Sequence, residues 1–533
     1  MNPTTPATKK KRPTVANVAT LLIATSLIGQ LLGFLRTKFV NGNFPLHGPE
    51  GTDAYFAAFI IPDLFFFTLA AGALGVAFMP TLSDRLHKKG RKAVWELSSS
   101  LMNILAIVMF IVGVIILLFA EPLLRYVVAP GMADNPAQLE NAATIMRLIA
   151  FSPLCFTISG VLTSAQQTMG RFFFYAIAPI FYNLSIIVSI FLFRDNIGII
   201  GLGIGAMAGA IIQLLVILIG VSGLNFHWRP HIQWRSPDFR SVLRNLPPRS
   251  LDQGMDQVND VVQTRIASGL GSGNISNFNN AYTLALAPIL LIGTAISTAA
   301  FPRLNTRLSQ GRNDLFRKEF LATLRVMIWI SAPLAVICYF SRGYLARLIF
   351  TQGNDEIALI FGFLTVAIFF RIMYALVSRW FYAQKDTKTP FYVSVVTVGA
   401  NIVLAMQLGQ PDVYGVAGLA IAQSVTAAAE VCLLFMIMLI RDHKLLDREF
   451  WGGVWRIISV TGFTVVAAFI MISLYPLGAL DRGFLTLGSK LLLIAGVTFG
   501  VHVAISAVFG LVEAKVIIAR VKAFALKPIK INV

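Results

Sequence analysis

The chain has 533 residues, of which 56% are hydrophobic and 13% are charged, and its mean hydropathy is +0.73. This composition excludes a string of soluble domains and predicts a polytopic membrane protein, because apolar runs of spanning length recur along the chain. The formal net charge of +19 comes from basic residues spread over short loops, which favours anionic lipids over nucleic acid as partners.

Hydropathy alone predicts thirteen transmembrane helices. The first follows the basic sequence KKKR (9–12), but it is of spanning length and has no clear cleavage site, so we predict a helix and not a signal peptide. In chain order the predicted spans are 17–40, 53–83, 94–120, 139–168, 172–193, 198–223, 279–302, 319–341, 355–383, 390–407, 413–440, 451–475 and 484–512.

Clusters of basic residues between these spans predict the cytoplasmic side of the membrane. The clusters are 9–12, 84–92, 227–244, 302–318, 441–448 and the tail from Lys515. Only the span 279–302 separates the third cluster from the fourth, so a second helix has to cross there. The segment 247–270 has the required length, and Pro247 and Pro248 suit its first turn. This gives about fourteen helices, with both termini in the cytoplasm.

One alternative to this topology stays open. In it, 248–268 is a cytoplasmic amphipathic segment and 279–302 is a re-entrant hairpin. The alternative requires an unusual re-entrant segment to keep the basic clusters on one side of the membrane. A polar transmembrane helix achieves the same result simply.

The two halves of the sequence repeat each other. SAQQTMGRFFFYAIAPIFYN (164–183) aligns with YAQKDTKTPFYVSVVTVGAN (382–401), which pairs Asn183 with Asn401 at an offset of 218 residues. Each half holds six helices and enters the membrane in the same direction. The predicted fold class is an all-α polytopic membrane protein with two parallel six-helix lobes around a central cavity and two C-terminal helices. The predicted parts are a basic cytoplasmic tail (1–16), helices 1–6 (17–223), a basic cytoplasmic loop (224–246), helices 7–12 (247–441), helices 13 and 14 (442–512) and a basic interfacial tail (513–533).

The segment predicted as helix 7 carries an acidic stripe. Asp252, Asp256 and Asp260 fall at i, i+4 and i+8 on one face of the helix. Arg249 lies one turn before them, and Asn259 lies beside them. Carboxylates are costly in lipid, so the stripe is expected to face a wet cavity or a partner. A site for a coupling ion or substrate and a solvated cavity wall are both open interpretations.

Four further charged residues lie in predicted spans or at their ends. Arg36 lies near the end of helix 1, and Asp53 opens helix 2. An arginine in such a place is either a snorkelling anchor or a bidentate phosphate ligand. Arg371 and Arg379 on helix 10 either line a cavity or anchor the cytoplasmic end, and the anchor interpretation is favoured.

No catalytic or metal-binding pattern stands out in the sequence. There is no nucleophile–base constellation, and the six histidines are scattered. Cys155, Cys338 and Cys432 lie in apolar segments without ligand-like spacing, and we predict that all three are buried packing residues. The chain is therefore not expected to be an enzyme or to hold a cofactor.

Several motifs together resemble the lipid II flippase family (MurJ/MviN) of the multidrug/oligosaccharidyl-lipid/polysaccharide exporter superfamily. These motifs are GQLLGFLR (29–36), TDAYFAAFIIPDL (52–64), GALGVAFMPTL (72–82), VVAPGM (127–132), GRFFFYAIAPIFYNLS (170–185) and FYAQKDTKTPFYVSVVTVGANI (381–402). The resemblance covers about the first twelve helices, and the last two match by position only.

The resemblance implies a transporter of the bacterial inner membrane that alternates between inward-open and outward-open states. Its cargo would be an undecaprenyl-pyrophosphate-linked peptidoglycan precursor, and a cationic cavity would hold the pyrophosphate. Family members carry an arginine at the position of Arg36 and an acid at that of Asp53, and we predict that these residues and Arg249 bind substrate. Anionic lipids and the cell-wall synthesis machinery are the other expected partners.

The cavity also departs from the family. Where relatives carry further cavity arginines, this sequence has Gln30, Phe67 and Thr283. Some relatives use a helix 7 aspartate with polar groups of helix 11 for sodium, which makes Asn401 a candidate partner here. No metal site is assigned, and the candidate coupling ions are a proton or a sodium ion near Asp256 and Asp260. The predicted residues of the cavity or coupling-ion site are Asp252, Asp256, Asn259, Asp260 and Asn401.

Three hypotheses of function follow from these patterns. The first is a flippase that moves lipid II from the inner to the outer leaflet of the cytoplasmic membrane. The second is an ion-coupled exporter of another lipid-linked or cationic cargo in the same superfamily. The third is a non-transporting scaffold of the cell envelope.

Overall fold

The structure is a computed structural model that describes residues 15–71, 78–478, 481 and 483–515, with side chains described in these ranges except at 15–20, 71 and 245–253. The described residues form α-helices and short π- or 3₁₀-helical turns, and none of them lies in a strand. The predicted all-α fold class is confirmed. In chain order the helices are α1 (Val15–Asn43), α2 (Asp53–Phe66), α3 (Met79–Pro122), α4 (Pro136–Leu148), α5 (Ser152–Thr168), α6 (Phe173–Ile197), α7 (Ile200–Val221), α8 (Pro237–Gly269), α9 (Asn274–Pro288), α10 (Ala295–Ser309), α11 (Asn313–Phe340), α12 (Arg342–Ile349), α13 (Asn354–Ala383), α14 (Lys388–Leu408), α15 (Val416–Arg441), α16 (Arg448–Leu474) and α17 (Phe484–Val508).

Twelve helical runs within the described ranges are long and apolar enough to cross a membrane. The chain is therefore a multi-pass membrane protein. Neither α1 nor α8 is among the twelve, so the count of about fourteen stays a prediction. For α8 the reason is its polar composition, since Asp256, Asp260 and Arg265 all lie in its second half.

Helix α8 begins earlier than the sequence predicts. It starts at Pro237, and Pro247 and Pro248 lie inside it instead of in its first turn. Its start is fixed by Arg85, whose buried guanidinium Nε donates to Asp238 Oδ2 at 2.7 Å. Hydropathy could not place this boundary, because the first turns of α8 are polar.

The alternative with a re-entrant hairpin at 279–302 is wrong. Helices α9 and α10 are joined by a π-helical turn, Ile289–Thr294, into one helical run from Asn274 to Ser309. The turn follows Pro288, which has no amide hydrogen to continue the regular bonding pattern. The chain therefore crosses here in one direction with a local distortion.

One compact unit is formed by the described residues of the ranges 15–43, 61–71, 78–120 and 143–254. Among its described helices, α7 packs against α5 and α6, and α6 also packs against α1. Its buried apolar core includes Trp95 and Ile217.

A second compact unit is formed by residues 44–60, 121–142 and the described residues from 255 to 515. Helix α13 packs against α9, α11 and α15, while α16 and α17 pack against each other and against α11. The segments 44–60 and 121–142 belong to the first half of the sequence. The compact units therefore do not follow the boundaries of the repeat.

The internal repeat has a counterpart in backbone geometry. Gly198, between α6 and α7, has φ 59° and ψ −139°, and Gly415, between α14 and α15, has φ 55° and ψ −134°. Residues with a Cβ rarely adopt this conformation. The two helical hairpins therefore turn in the same way at corresponding places.

The cysteines divide into two groups. Cys155 and Cys338 are buried, as predicted, whereas Cys432 is exposed. On α15, Val431 and Leu434 face the interior, and Cys432 falls on the opposite face. The packing interpretation is wrong for this residue, because an apolar neighbourhood in sequence does not tell which side of a helix is covered.

Candidate transport site

A cavity of about 540 Å³ lies within the second unit. It is enclosed by the second half of α8, by α9 and the π-helical turn after it, and by α13, with single residues from α10 and α15. Its lining is polar and charged to a degree that lipid contact would not allow. The lining residues include Asp256, Asn259, Asp260, Tyr282, Ser297, Arg371, Tyr374, Ser378, Arg379, Tyr382 and Gln423.

The acidic face of α8 contributes three residues to this lining. Asp256 and Asp260 lie one turn apart, as their spacing predicts, and Asn259 lies between them with its side chain buried. Asp252 and Arg249 lie on the backbone of the same helix, but their side chains are outside the described residues. The roles of all five residues in binding stay predictions.

A buried ion pair forms part of the cavity wall. Arg371 Nη1 on α13 lies 3.7 Å from Glu430 Oε2 on α15, and Ser394 Oγ donates to Glu430 Oε1 at 2.6 Å. Glu430 is only 4% exposed, so the arginine and the serine compensate a charge that is otherwise out of water. The favoured interpretation of Arg371 as a cytoplasmic anchor is wrong, since its side chain lines the cavity.

Arg379 lies in the same wall. Its guanidinium stacks over the ring of Phe301 at 5.1 Å from the centroid. The anchor interpretation is wrong here too, because the residue lines the cavity two turns of α13 from Arg371. Although the sequence suggests a cavity depleted of arginine, α13 therefore supplies two cationic side chains.

Glu430 was missed by the sequence reasoning. It stands in the apolar run VTAAAEVCLL (425–434), and an acid at such a position is a warning of a functional or paired charge. The same signal identified Asp256 and Asp260, where the acids recur with helical spacing. A single acid in an otherwise apolar span gives a weaker pattern.

A chain of neutral polar groups connects α8, α15 and α14 beside the cavity. Gln423 Nε2 donates to Gln263 Oε1 at 3.1 Å, and Asn401 Nδ2 donates to Thr426 Oγ1 at 3.1 Å. All four side chains are buried. Asn401 lies outside the cavity lining, so in this conformation it does not join Asp256 or Asp260.

Asp53 holds the first turn of α9. Its Oδ2 accepts from the Gly273 amide at 2.6 Å, and its Oδ1 accepts from the amide and the hydroxyl of Ser276 at 2.7 and 2.6 Å. Thr52 Oγ1 also donates to Ser276 Oγ at 2.8 Å. We call these four residues the latch. A buried carboxylate at a helix N-terminus is stabilised both by the free amides and by the helix dipole.

Other contacts support the latch within the second unit. Asn141 Nδ2 donates to the Pro49 carbonyl at 2.9 Å, and the Gly131 amide donates to Ser268 Oγ at 3.3 Å. At Gly131 an added Cβ would overlap the carbonyl of Ser268, so the two backbones approach as closely as only glycine allows. The segment 121–142 is therefore fixed against the end of α8, and the segment 44–60 against the start of α9.

In the first unit, Arg36 of α1 interacts electrostatically with Asp63 of α2. Both side chains are half-buried. The positions at which relatives carry further arginines hold the uncharged residues that the sequence shows. At one of them, the Thr283 hydroxyl donates to the Asn279 carbonyl of its own helix. Substrate binding by Arg36 and by Asp53 stays a prediction, and the carboxylate of Asp53 is engaged in the latch.

The described residues contain no group of three or more His, Cys, Asp or Glu side chains arranged to hold a metal ion. The nearest approach to an ion site is the pair Asp256 and Asp260 with the amide oxygen of Asn259. These are oxygen donors, which suit a hard cation.

Comparison with known proteins assigns the chain to a family. The model of the family "Lipid II flippase MurJ" matches residues 50–493. This chain is a member of the MurJ family. A probable lipid II flippase MurJ of Borreliella burgdorferi is 24% identical over 436 residues, covering 80% of this chain and 84% of the relative. The lipid II flippase MurJ of Burkholderia cenocepacia is 27% identical over 439 residues, covering 77% and 81%.

Solved structures agree with the MurJ fold. A structure of lipid II flippase MurJ in an inward closed conformation superposes with a TM-score of 0.74 at 21% identity, covering 92% of this chain and 98% of that one. An inward-facing multidrug resistance transporter of the MATE family in the MOP superfamily gives 0.67 at 15% identity, covering 80% and 98%. The MurJ fold is thus shared with transporters of other cargo, and the site has to decide the function.

Proposed function

We propose that this MurJ family member moves a lipid-linked peptidoglycan precursor, lipid II, from the inner to the outer leaflet of the bacterial cytoplasmic membrane by alternating access. The proposal rests on family membership together with a charged cavity and a latch that closes one end of the second unit. It also includes the finer points of topology, namely that both termini are cytoplasmic and that cell-wall synthesis enzymes receive the product.

The latch is the observation that carries the proposal. It joins residues 44–60 to the loop before α9 and to the first turn of α9, which the basic loops predict to be on the outer side. Asp53 bonds to backbone amides and to a hydroxyl, and water can satisfy all of these groups when the contact opens. A joint of this kind can open without leaving an unsatisfied buried group, as an outer gate has to do.

The cavity has the charges that a phosphate-bearing cargo and its counter-ion require. Arg371 and Arg379 are donors for an anionic headgroup, and Asp256 and Asp260 supply carboxylate oxygens of the kind that bind a cation. Arg371 is paired with Glu430, so an anionic cargo would compete with Glu430 for Arg371. We assign a further share of phosphate binding to Arg36 and Arg249, as the family resemblance implies.

We also propose that the cavity binds the coupling ion, which is sodium or a proton. The amide oxygen of Asn259 is buried and accepts no hydrogen bond from the described residues, and the carboxylates of Asp256 and Asp260 are one turn away. Asn401 does not complete this set in the present conformation. Lipid II movement that responds to a sodium gradient and not to a pH gradient would assign the site to sodium, and the reverse would assign it to a proton.

One observation favours a second candidate function, the ion-coupled export of a cationic cargo. The cavity lining has two acids on α8, while Arg371 is already compensated by Glu430. A positively charged cargo would meet two carboxylates in this lining, Asp260 and Asp256, the second of which also interacts with Arg371. This function predicts efflux of a cation that Asp256→Asn abolishes, without any rescue of lipid II transport.

The test of the first proposal locks the latch. Thr52→Cys and Ser276→Cys are introduced together into the full chain, with the exposed Cys432 replaced by Ser. The hydroxyl oxygens at the two positions are 2.8 Å apart, which brings the new thiols within reach of each other. In a bacterium depleted of its own lipid II flippase, the reduced protein is expected to support growth and the oxidised protein to stop it.

Each single-cysteine variant serves as the matched control, because it loses the same side-chain hydroxyl but cannot form the crosslink. Growth of the singles is expected to be insensitive to oxidant. If the unlocked protein is present in the membrane and does not support growth, the flippase proposal is wrong. If the crosslinked protein supports growth as well as the reduced one, the latch is not a gate.

A further inference from the structure

A second pocket, of about 430 Å³, lies in the first unit and takes no part in the cavity described above. It is formed where α3 resumes after its break at Gly90 and where the loop between α7 and α8 folds back. Both segments belong to basic loops that the sequence places on the cytoplasmic side. The lining residues are Arg91, Lys92, Trp95, Glu96, Asn225, His227 and Arg229.

The charge of this pocket is strongly positive. Arg91, Lys92 and Arg229 are exposed, and Glu96 is the carboxylate among the described lining residues. Glu96 Oε1 accepts from Arg229 Nη1 at 3.0 Å, which leaves the other two cations without a balancing acid in the lining. A site of this charge selects an anion.

The loop over the pocket is held in place by hydrogen bonds to one face of α3. Arg229 N and Gln233 N donate to Ser99 Oγ and Ser100 Oγ at 3.4 and 3.3 Å, and Asn103 Nδ2 donates to the Arg229 carbonyl at 2.8 Å. The backbone of this loop is therefore held in place over the start of α3.

The same face of α3 continues directly into lipid-facing surface. Following Asn103 at steps of four residues, Ile107, Ile111 and Ile115 are 54%, 53% and 43% exposed. At a rise of 1.5 Å per residue, the pocket residue Glu96 lies about 10 Å from Asn103 along the axis, so the pocket is on the headgroup side of this apolar face. The pocket therefore lies at the interfacial end of an acyl-chain track.

An aromatic residue marks the same level. Trp228 is 55% exposed, and its indole Nε1 donates to Asn103 Oδ1 at 2.9 Å, one turn before Ile107. Exposed tryptophans with a bonded N–H are typical of the boundary between headgroups and acyl chains. This position favours a ligand that arrives within the membrane over a soluble anion.

We propose that this pocket binds the phosphodiester headgroup of an anionic phospholipid of the cytoplasmic leaflet. Arg91, Lys92 and Arg229 hold the headgroup phosphate, and an acyl chain lies along Ile107 and Ile111 of α3. The site is independent of the cargo cavity, so the proposal stands or falls separately from the proposed function. Basic pockets beside transmembrane helices on the cytoplasmic side recognise anionic lipids in this way.

The experiment measures lipid binding to the full chain by native mass spectrometry in detergent. The protein is titrated with phosphatidylglycerol and, separately, with phosphatidylcholine of the same acyl chains. The first phosphatidylglycerol is expected to bind on the order of tenfold more tightly than phosphatidylcholine, and the triple variant R91Q/K92Q/R229Q is expected to lose that preference. The control variant R303Q/K318Q/R448Q removes the same charge from exposed cytoplasmic positions outside the pocket and is expected to keep the preference.

A gain of binding guards against misfolding as an explanation. Glu96→Gln removes the acid of the pocket and releases Arg229, so it is expected to tighten phosphatidylglycerol binding several-fold. Inorganic phosphate and pyrophosphate are then added at millimolar concentration, and neither is expected to displace the lipid. The proposal is overturned by equal affinity for the two lipids, by an unchanged triple variant, or by displacement with the soluble anions, which would make this a site for free phosphate.

Discussion

The hydrogen-bond partners of the Asp53 carboxylate could not be predicted from the sequence. The family resemblance suggests a substrate ligand, but its oxygens accept three hydrogen bonds from Gly273 and Ser276, more than two hundred residues away in the chain. Contacts between residues so far apart in the chain follow from tertiary packing. They leave no periodic pattern in the local sequence. The acids of α8 were easier to interpret, because Asp256 and Asp260 obey the helical repeat.

Asp386, between α13 and α14, gives a prediction about pH. Burial raises the pKa of this carboxyl, but hydrogen bonds from Thr389 and Arg441 outweigh that effect and lower its pKa to about 2. Since the folded pKa is below the unfolded value of about 3.8, the stabilisation is present at neutral pH and is lost as the pH falls from about 4 to about 2. We therefore expect Asp386→Asn to unfold at a lower temperature than wild type at pH 7.

The measurement is thermal unfolding of both proteins from pH 7 to pH 2. The difference between them is expected to shrink below pH 4 and to vanish near pH 2. Asp412→Asn, at an exposed turn, is the control and is expected to match wild type throughout. A difference that stays constant with pH would show that the charge of Asp386 is not what stabilises this corner.

Two elements of the fold, the loop before α4 and the end of α8, are in close backbone contact. The loop before α4 meets the end of α8 at Gly131 and Ser268, where a Cβ would overlap the carbonyl of Ser268. Gly131→Ala is expected to destabilise the protein by about 1–3 kcal/mol, the usual cost of overpacking, and to lower the yield of the crosslink between residues 52 and 276. Gly399→Ala on α14, where the added methyl meets open space, is the control.

Denaturant unfolding and crosslinking yield check this prediction together. A Gly131→Ala protein as stable as wild type, with unchanged crosslinking, would mean that the contact between the segment 121–142 and α8 is looser than the structure shows. A loss of stability in Gly399→Ala of the same size would point to a general effect of replacing glycine.

The pair Arg371–Glu430 joins α13 to α15 and predicts strong coupling between two substitutions. Removing one partner leaves the other charge uncompensated, so Arg371→Met and Glu430→Leu are each expected to cost at least about 2 kcal/mol of unfolding free energy. Fully buried pairs cost about 3–5 kcal/mol, and the cost is smaller here because the Arg371 side chain is 33% exposed. The double variant is expected to be closer to wild type than the sum of the singles.

A double-mutant cycle from unfolding curves measures this coupling. Additive effects of the two substitutions would contradict the ion pair. The sequence offered Arg371 as either a cavity residue or an anchor. The choice depended on which face of α13 meets α15, and hydropathy along a single helix does not contain that information.

Element boundaries were also only partly predictable. The polar span 247–270 was inferred from the charge of the loops on either side, and the structure has a continuous helix α8 there. Its start at Pro237 was missed, because helix formation outside the membrane does not require apolar residues. The π-helical turns after α2 and α9 had no clear signal beyond Pro62 and Pro288.

At the scale of the whole molecule, composition and apolar spacing predicted the all-α membrane fold, since the lipid environment restricts spanning segments to helices with satisfied backbones. The division into compact units was not predictable. Segments 44–60 and 121–142 come from the first half of the sequence but pack within the second unit. Asp53, Gly131 and Asn141 make contacts that hold these segments there.

Transport of lipid II across the membrane can be measured as the amount of lipid II that reaches the outer leaflet. In a bacterium depleted of its own flippase, the amount of lipid II accessible to an impermeant reagent on the outer face is measured with this chain expressed. Wild type is expected to maintain outer lipid II, and Thr52→Cys/Ser276→Cys is expected to do so only in the presence of reductant. Outer lipid II that stays at the depleted level, with the wild-type chain present in the membrane, would contradict the account.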